Sequence, residues 1–168
     1  MGATPNLSAG NLKPFDANWA LMTEHANELF AAKCYEEACA PYERALDEAK
    51  AQFEVALVSG GHAQDVVPMV IVSVSNAALN HAECERPERA FALLEKAALT
   101  FANALGSSTT PPRMKQAIIS HLPRLMMELD RPKLAAVGHK KRNLALQERL
   151  KGASLKVLHQ TQELRGDI

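Results

Sequence analysis

An all-α fold of antiparallel helical hairpins is predicted by three features of this 168-residue chain. Aromatic residues make up only 5% of it while Ala, Leu, Glu and Lys abound, which favours helices and starves β-sheets. Apolar residues recur at three- and four-residue spacing over long windows. One phrase is also written twice, as "YEEACAPYERALDEAK" at 35–50 and "RPERAFALLEKAA" at 86–98. Each copy enters on Tyr35 or Pro87, places a small residue at Ala38 or Ala90, a large one at Tyr42 or Leu94, and Ala again at Ala45 or Ala97.

Residues 1–15, rich in Gly, Pro, Asn and Ser, predict a flexible N-terminal arm. Asp16 is placed to cap a first helix that carries Trp19, Met22, Ala26, Leu29 and Phe30 through Ala32. A longer second helix spans Tyr35 to about Val58, with Ala38, Tyr42, Ala45, Leu46, Ala49, Phe53 and Leu57 on one face. The "SGG" at 59–61 stops it, because glycine reaches the left-handed conformation needed after a helix end. The third helix starts near Asp65, takes Pro68 in its first turn and ends about Glu83; its β-branched "VVPMVIVSV" run is read as buried helix. The fourth runs from Pro87 to about Leu105 and stops at Gly106. Thr110 as cap and Pro111 as first helical residue open a fifth, with Met114, Ile118, Ile119, Leu122, Leu125, Met126 and Leu129 inward and a kink expected at Pro123. Beyond Pro132 the chain is helix-prone but interrupted by Gly138 and Gly152. Leu144, Leu146, Leu150, Leu155 and Leu158 would supply a last helix that covers the stack. The expected organisation is an arm over 1–15, a helical repeat domain over 16–137, and a C-terminal segment over 138–168 that is a capping helix or partly disordered.

The doubled phrase resembles the tetratricopeptide repeat (TPR) family, whose unit is about 34 residues long. In a first unit from Trp19, Ala26 and Ala38 take the small positions, where two backbones approach closely, and Met22, Leu29 and Tyr42 pack around them. A second unit from Ile71 aligns Val74, Ala78, Ala90, Leu94 and Ala97, with His81 in place of the usual large apolar residue, at an offset of 52 residues. A degenerate third echoes "ERPERA" as "DRPKLA" at 130–135. The resemblance implies a short superhelix of about two and a half repeats with a C-terminal capping helix. It implies a concave groove lined by the first helix of each unit, and the partner-binding residues expected there are Thr23, Asn27, Phe30, Ser75, Asn76, Leu79 and Arg124. Family members that clamp a C-terminal carboxylate use two asparagines and three cations. Asn27 and Asn76 match the asparagines, but Thr23, Ala117 and His121 stand where the cations belong, so that clamp is rejected.

The rest of the sequence narrows the chemistry. Nineteen basic residues balance nineteen acidic ones, which argues against a nucleic-acid-binding surface. From Gly138 onward seven Lys or Arg stand against three acids, without interleaved aromatics for base stacking. Three cysteines, Cys34, Cys39 and Cys84, form an odd set lacking a CxxC pair, so a disulfide framework or zinc site is not expected. They read instead as thiols buried as small hydrophobes in a reducing compartment. No secretory leader or membrane span is read, and the expected location is cytoplasmic. His25, His81 and His121 fall on three successive first helices at unmatched positions, read as scattered interface or groove histidines. Neither catalytic residues, nor a metal, nor a cofactor is expected. The expected function is non-enzymatic: an adaptor or chaperone-like module holding a peptide or helix of a protein partner in an apolar groove, with no nucleic acid or membrane partner. The alternative is a homodimeric scaffold whose groove or C-terminal helix is occupied by its own copy.

Overall fold

The computed structural model describes residues 14–131 and 139–166. The arm expected over 1–15 lies outside the described residues except for Pro14 and Phe15, as do Gly138 and the third unit's Pro132 and Ala135. The described residues form six helices and no strand: α1 (Pro14–Ala31), α2 (Tyr35–Ser59), α3 (Ala63–Glu83), α4 (Pro87–Gly106), α5 (Pro112–Leu129) and α6 (Lys140–Gly166). Each of α1 to α4 packs against the next in sequence, α3 also against α5, and α4 against α6. The result is a compact all-α fold consistent with a helical repeat stack, with α1, α3 and α5 in one layer and α2, α4 and α6 in the other.

The hairpin turns explain the doubled phrase. Lys33 and Glu85 sit at φ 62° and φ 59°, a left-handed conformation uncommon outside glycine. Cys34 N–H donates to Leu29 C=O at 2.9 Å and Arg86 N–H to His81 C=O at 2.8 Å, the same six-residue closure at both helix ends. The two turns are therefore one motif used twice, and each feeds a helix whose first small residue, Ala38 or Ala90, is fully buried. The α2–α3 turn uses Gly60 as expected: at φ 68° its N–H reaches Ala56 C=O at 2.8 Å.

Helix boundaries differ from the expected ones where proline is involved. Pro14, which fits a first helical position, starts α1 ahead of Asp16. Because α3 starts at Ala63, Pro68 is its sixth residue, past the first turn. Pro111 itself is the non-helical cap of α5, at ψ 142°, and Pro112 is the first helical residue; Thr110 is buried beneath the turn. Residues preceding proline are pushed out of the helical region, which moves the boundary by one. Pro123 lies inside α5.

The C-terminal segment departs most. Lys140–Gly166 is one continuous helix that runs through Gly152. Nothing lies within 4 Å of where a Cβ on Gly152 would stand, so this glycine marks no close approach or break. Of the five leucines expected to cover the stack, Leu146 and Leu150 are buried, while Leu144, Leu155 and Leu158 are 60%, 55% and 43% exposed. The start of α6 is held to α4 and α5 by specific contacts. The His139 ring stacks on Phe91 at 4.2 Å, Arg142 lies over the same ring and pairs with Glu95, and Asn143 Nδ2 donates to Leu129 C=O at 2.9 Å. No helix among the described residues is long and apolar enough to cross a membrane.

Candidate functional site

Helix α3 is the central element, with neighbours in both layers. From Met69 to His81 every residue is buried except Val72, Asn76 and Leu79, each half-buried. Steps of four and three place these on one helix face. They form a narrow apolar stripe with a single amide, and the adjoining helix α5 carries exposed Arg124 and Met127.

The expected groove residues divide by what they already bond. Asn76 and Leu79 lie on the stripe, and Arg124 is exposed on α5. Asn27 is engaged within the fold, since its Oδ1 accepts from Tyr42 Oη at 2.8 Å. Burial raises the Tyr42 phenol to about 12, so it is a donor throughout the physiological range. Ser75 is buried and its hydroxyl donates to Ile71 C=O, one turn back, at 2.6 Å. Thr23 is buried, its hydroxyl oxygen without a protein partner. Phe30 is half-buried and edge-on to Tyr35 and Tyr42, with ring centroids 5.1 and 6.4 Å away. The reason is the α1–α2 and α1–α3 packing: Trp19 Nε1 donates to Ser73 Oγ at 2.7 Å, drawing this part of α1 against its neighbours.

The histidines lie in unlike settings: His25 is exposed, His121 is half-buried, and His81 is buried with Nε2 3.3 Å from Glu43. Arg89 binds the same carboxylate at 2.6 Å. Burial, then the Arg89 charge, lower the His81 pKa below its ordinary value against the pull of Glu43.

The cysteines correct the expectation of thiols buried as small hydrophobes. All three are half-buried, and Cys39 Sγ lies 3.9 Å from Cys84 Sγ. Asn80 Nδ2 donates to Cys39 Sγ at 3.2 Å and to Tyr35 C=O at 2.9 Å. Arg86 grips both Glu36 oxygens at 2.8 and 2.9 Å, and its other terminal nitrogen is 3.9 Å from Cys39 Sγ. Burial, then the bond to Cys39, push the Cys84 thiol up to about 11. Glu36, Cys39 and Cys84 present ligand atoms within 4.8 Å of one another, the one such metal-competent group among the described residues. The hairpin geometry was a signal for this pair: α2 and α3 are antiparallel neighbours, so the start of one lies beside the end of the other. A concavity of about 520 Å³ lies elsewhere, between the end of α4 and α6, lined by Leu105, Lys115, Arg149, Ala153, Lys156 and Val157.

Fold and site together define a stacked-helix protein with a shallow apolar face. A family model described as "Protein of unknown function (DUF2753)" matches residues 17–148, and the chain belongs to that family. No curated protein and no solved structure matches it. This overturns the tetratricopeptide assignment, because the matching family is a different one. Small residues facing large ones arise wherever antiparallel helices approach closely, so Ala38 and Ala90 report close packing without identifying a family.

Proposed function

We propose that this chain is a non-enzymatic interaction module that holds an apolar-anchored segment of a partner protein along Val72, Asn76 and Leu79. The carrying observation is the exposure pattern of α3, which from Met69 to His81 is buried on every side except that stripe. An apolar strip with one amide suits a peptide or helix that inserts two or three large side chains and offers a backbone group to Asn76. Arg124 on α5 would favour an acidic flank on that segment. Balanced charge supports a protein rather than a nucleic-acid partner, and free thiols support a reducing, cytoplasmic setting.

The test is capture from the native host with wild type and with Val72→Glu/Leu79→Glu, both checked for helicity. Both sites are half-buried at the edge of the fold, so the charges can turn to water while spoiling the strip. A partner held by wild type and released by the variant, with cross-links mapping to α3, is the expected result. Equal capture by both rejects this surface.

A second reading, a homodimer joined through the C-terminal helix, is favoured by Leu155 and Leu158, which stand exposed one turn apart on α6.

A further inference from the structure

We infer that Cys39 and Cys84 are a redox-active dithiol, a site where a small-molecule disulfide cross-links α2 to the end of α3. The inference is independent of the partner-binding reading and rests on three observations. First, the sulfurs are 3.9 Å apart. Cys39 lies in the second turn of α2 and Cys84 is the residue that ends α3, so drawing the sulfurs to the bonding distance of about 2 Å would join these two elements.

Second, two donors converge on the Cys39 sulfur, whose own thiol hydrogen is directed at Tyr35 C=O at 3.5 Å. The Asn80 amide is buried and fixed by Tyr35 C=O, which aims its other hydrogen at Cys39. The Arg86 guanidinium stands on the same sulfur and is held in place by Glu36. The thiolate is the form of a cysteine that attacks disulfides, and here a fixed amide and a guanidinium are within reach to bond it when it forms. Burial, with the contact to Cys39, holds the proton on Cys84.

Third, the site suits a cross-link better than a metal ion. Arg86 already occupies both oxygens of Glu36, so a divalent cation would have to break that fork and sit beside a guanidinium.

The reaction balances without further reagents. The Cys39 thiolate attacks one sulfur of a disulfide such as glutathione disulfide; the S–S bond breaks, and one glutathione leaves as thiolate and takes a proton from water. The Cys84 sulfur, losing its proton to solvent, then attacks Cys39 Sγ and expels the second glutathione. Two protein thiols are oxidised and one small disulfide is reduced to two thiols.

The experiment incubates the full chain at graded ratios of oxidised to reduced glutathione, quenches with acid, alkylates, and reads intact mass and peptide maps. The expected wild-type product lacks two hydrogens, links Cys39 to Cys84, and carries glutathione on Cys34 alone. Cys84→Ser is expected to hold glutathione on Cys39 as a stable adduct. Independent glutathione adducts on all three wild-type cysteines, or a link that includes Cys34, would overturn the inference. So would stoichiometric zinc retained by the reduced chain and lost in both Cys39→Ser and Cys84→Ser, which would assign the pair to a metal.

Discussion

His81 sets burial against charge at a single side chain. It is 2% exposed, and the Arg89 that shares Glu43 with it discourages protonation further. In the unfolded chain the imidazole protonates near pH 6.5, whereas in the folded protein it does so only at lower pH. Between those values the unfolded state holds the extra proton, so stability falls as pH drops below about 6.5. Thermal melts from neutral pH down to about 5.5 should show a falling midpoint, and His81→Gln should flatten part of that slope. An identical slope in both proteins would assign the acid sensitivity to other groups. Two glycines give opposite expectations at the same scale. Gly60→Ala places a Cβ at φ 68° and 3.0 Å from Pro111 Cβ, and should cost about 1–2 kcal/mol or more. Gly152→Ala, inside α6 with open space around it, should add about 0.5–1 kcal/mol. Urea midpoints moving in opposite directions would bear out both.

At the scale of the element, stability depends on how closely helices approach. Ala38 and Ala90 are fully buried at equivalent places in two hairpins. Ala38→Leu and Ala90→Leu should each overpack a helix contact and cost about 1–3 kcal/mol, read from denaturation midpoints. An unchanged midpoint in both would mean that these contacts have slack. The first five helices were legible in the sequence, because spacing, proline entries and the glycine at 60 act within a few residues; the sixth was expected only as a capping helix or a partly disordered segment. Less legible were the starts of α3, which begins at Ala63 ahead of Asp65, and of α5, where Pro111 and Pro112 compete for cap and first turn. Gly152 was misread as a break. Its propensity cost of about 1 kcal/mol is small beside what Leu146 and Leu150 gain by burial on one face of the first half of α6.

For the whole molecule, α6 is the element whose role is least exhausted by the fold. Its first half docks on α4 and α5, while Leu155 and Leu158 extend exposed beyond Leu150. If copies associate through this helix, mass should rise with concentration, and Leu155→Glu/Leu158→Glu should hold the chain monomeric without lowering its melting temperature. A concentration-independent monomer in wild type would dismiss self-association and leave the α3 stripe as the surface to pursue.

Helical periodicity and turn chemistry are local, so the all-α class, the hairpin pairing and the small-residue contacts could be read from the order of residues alone. Asn76 and Leu79 were picked from the tetratricopeptide resemblance that the family match overturns; that the two share a face of α3 follows from helical spacing alone. Only the tertiary structure decided that Asn27 and Ser75 spend their polar groups inside the fold, on Tyr42 and on Ile71. It alone brought Cys39 to Cys84 across 45 positions of chain, under Asn80 and Arg86. Hydrogen-bonding capacity is a property of a residue, but which partner consumes it depends on the rotation and depth of two packed helices, and no local pattern encodes those.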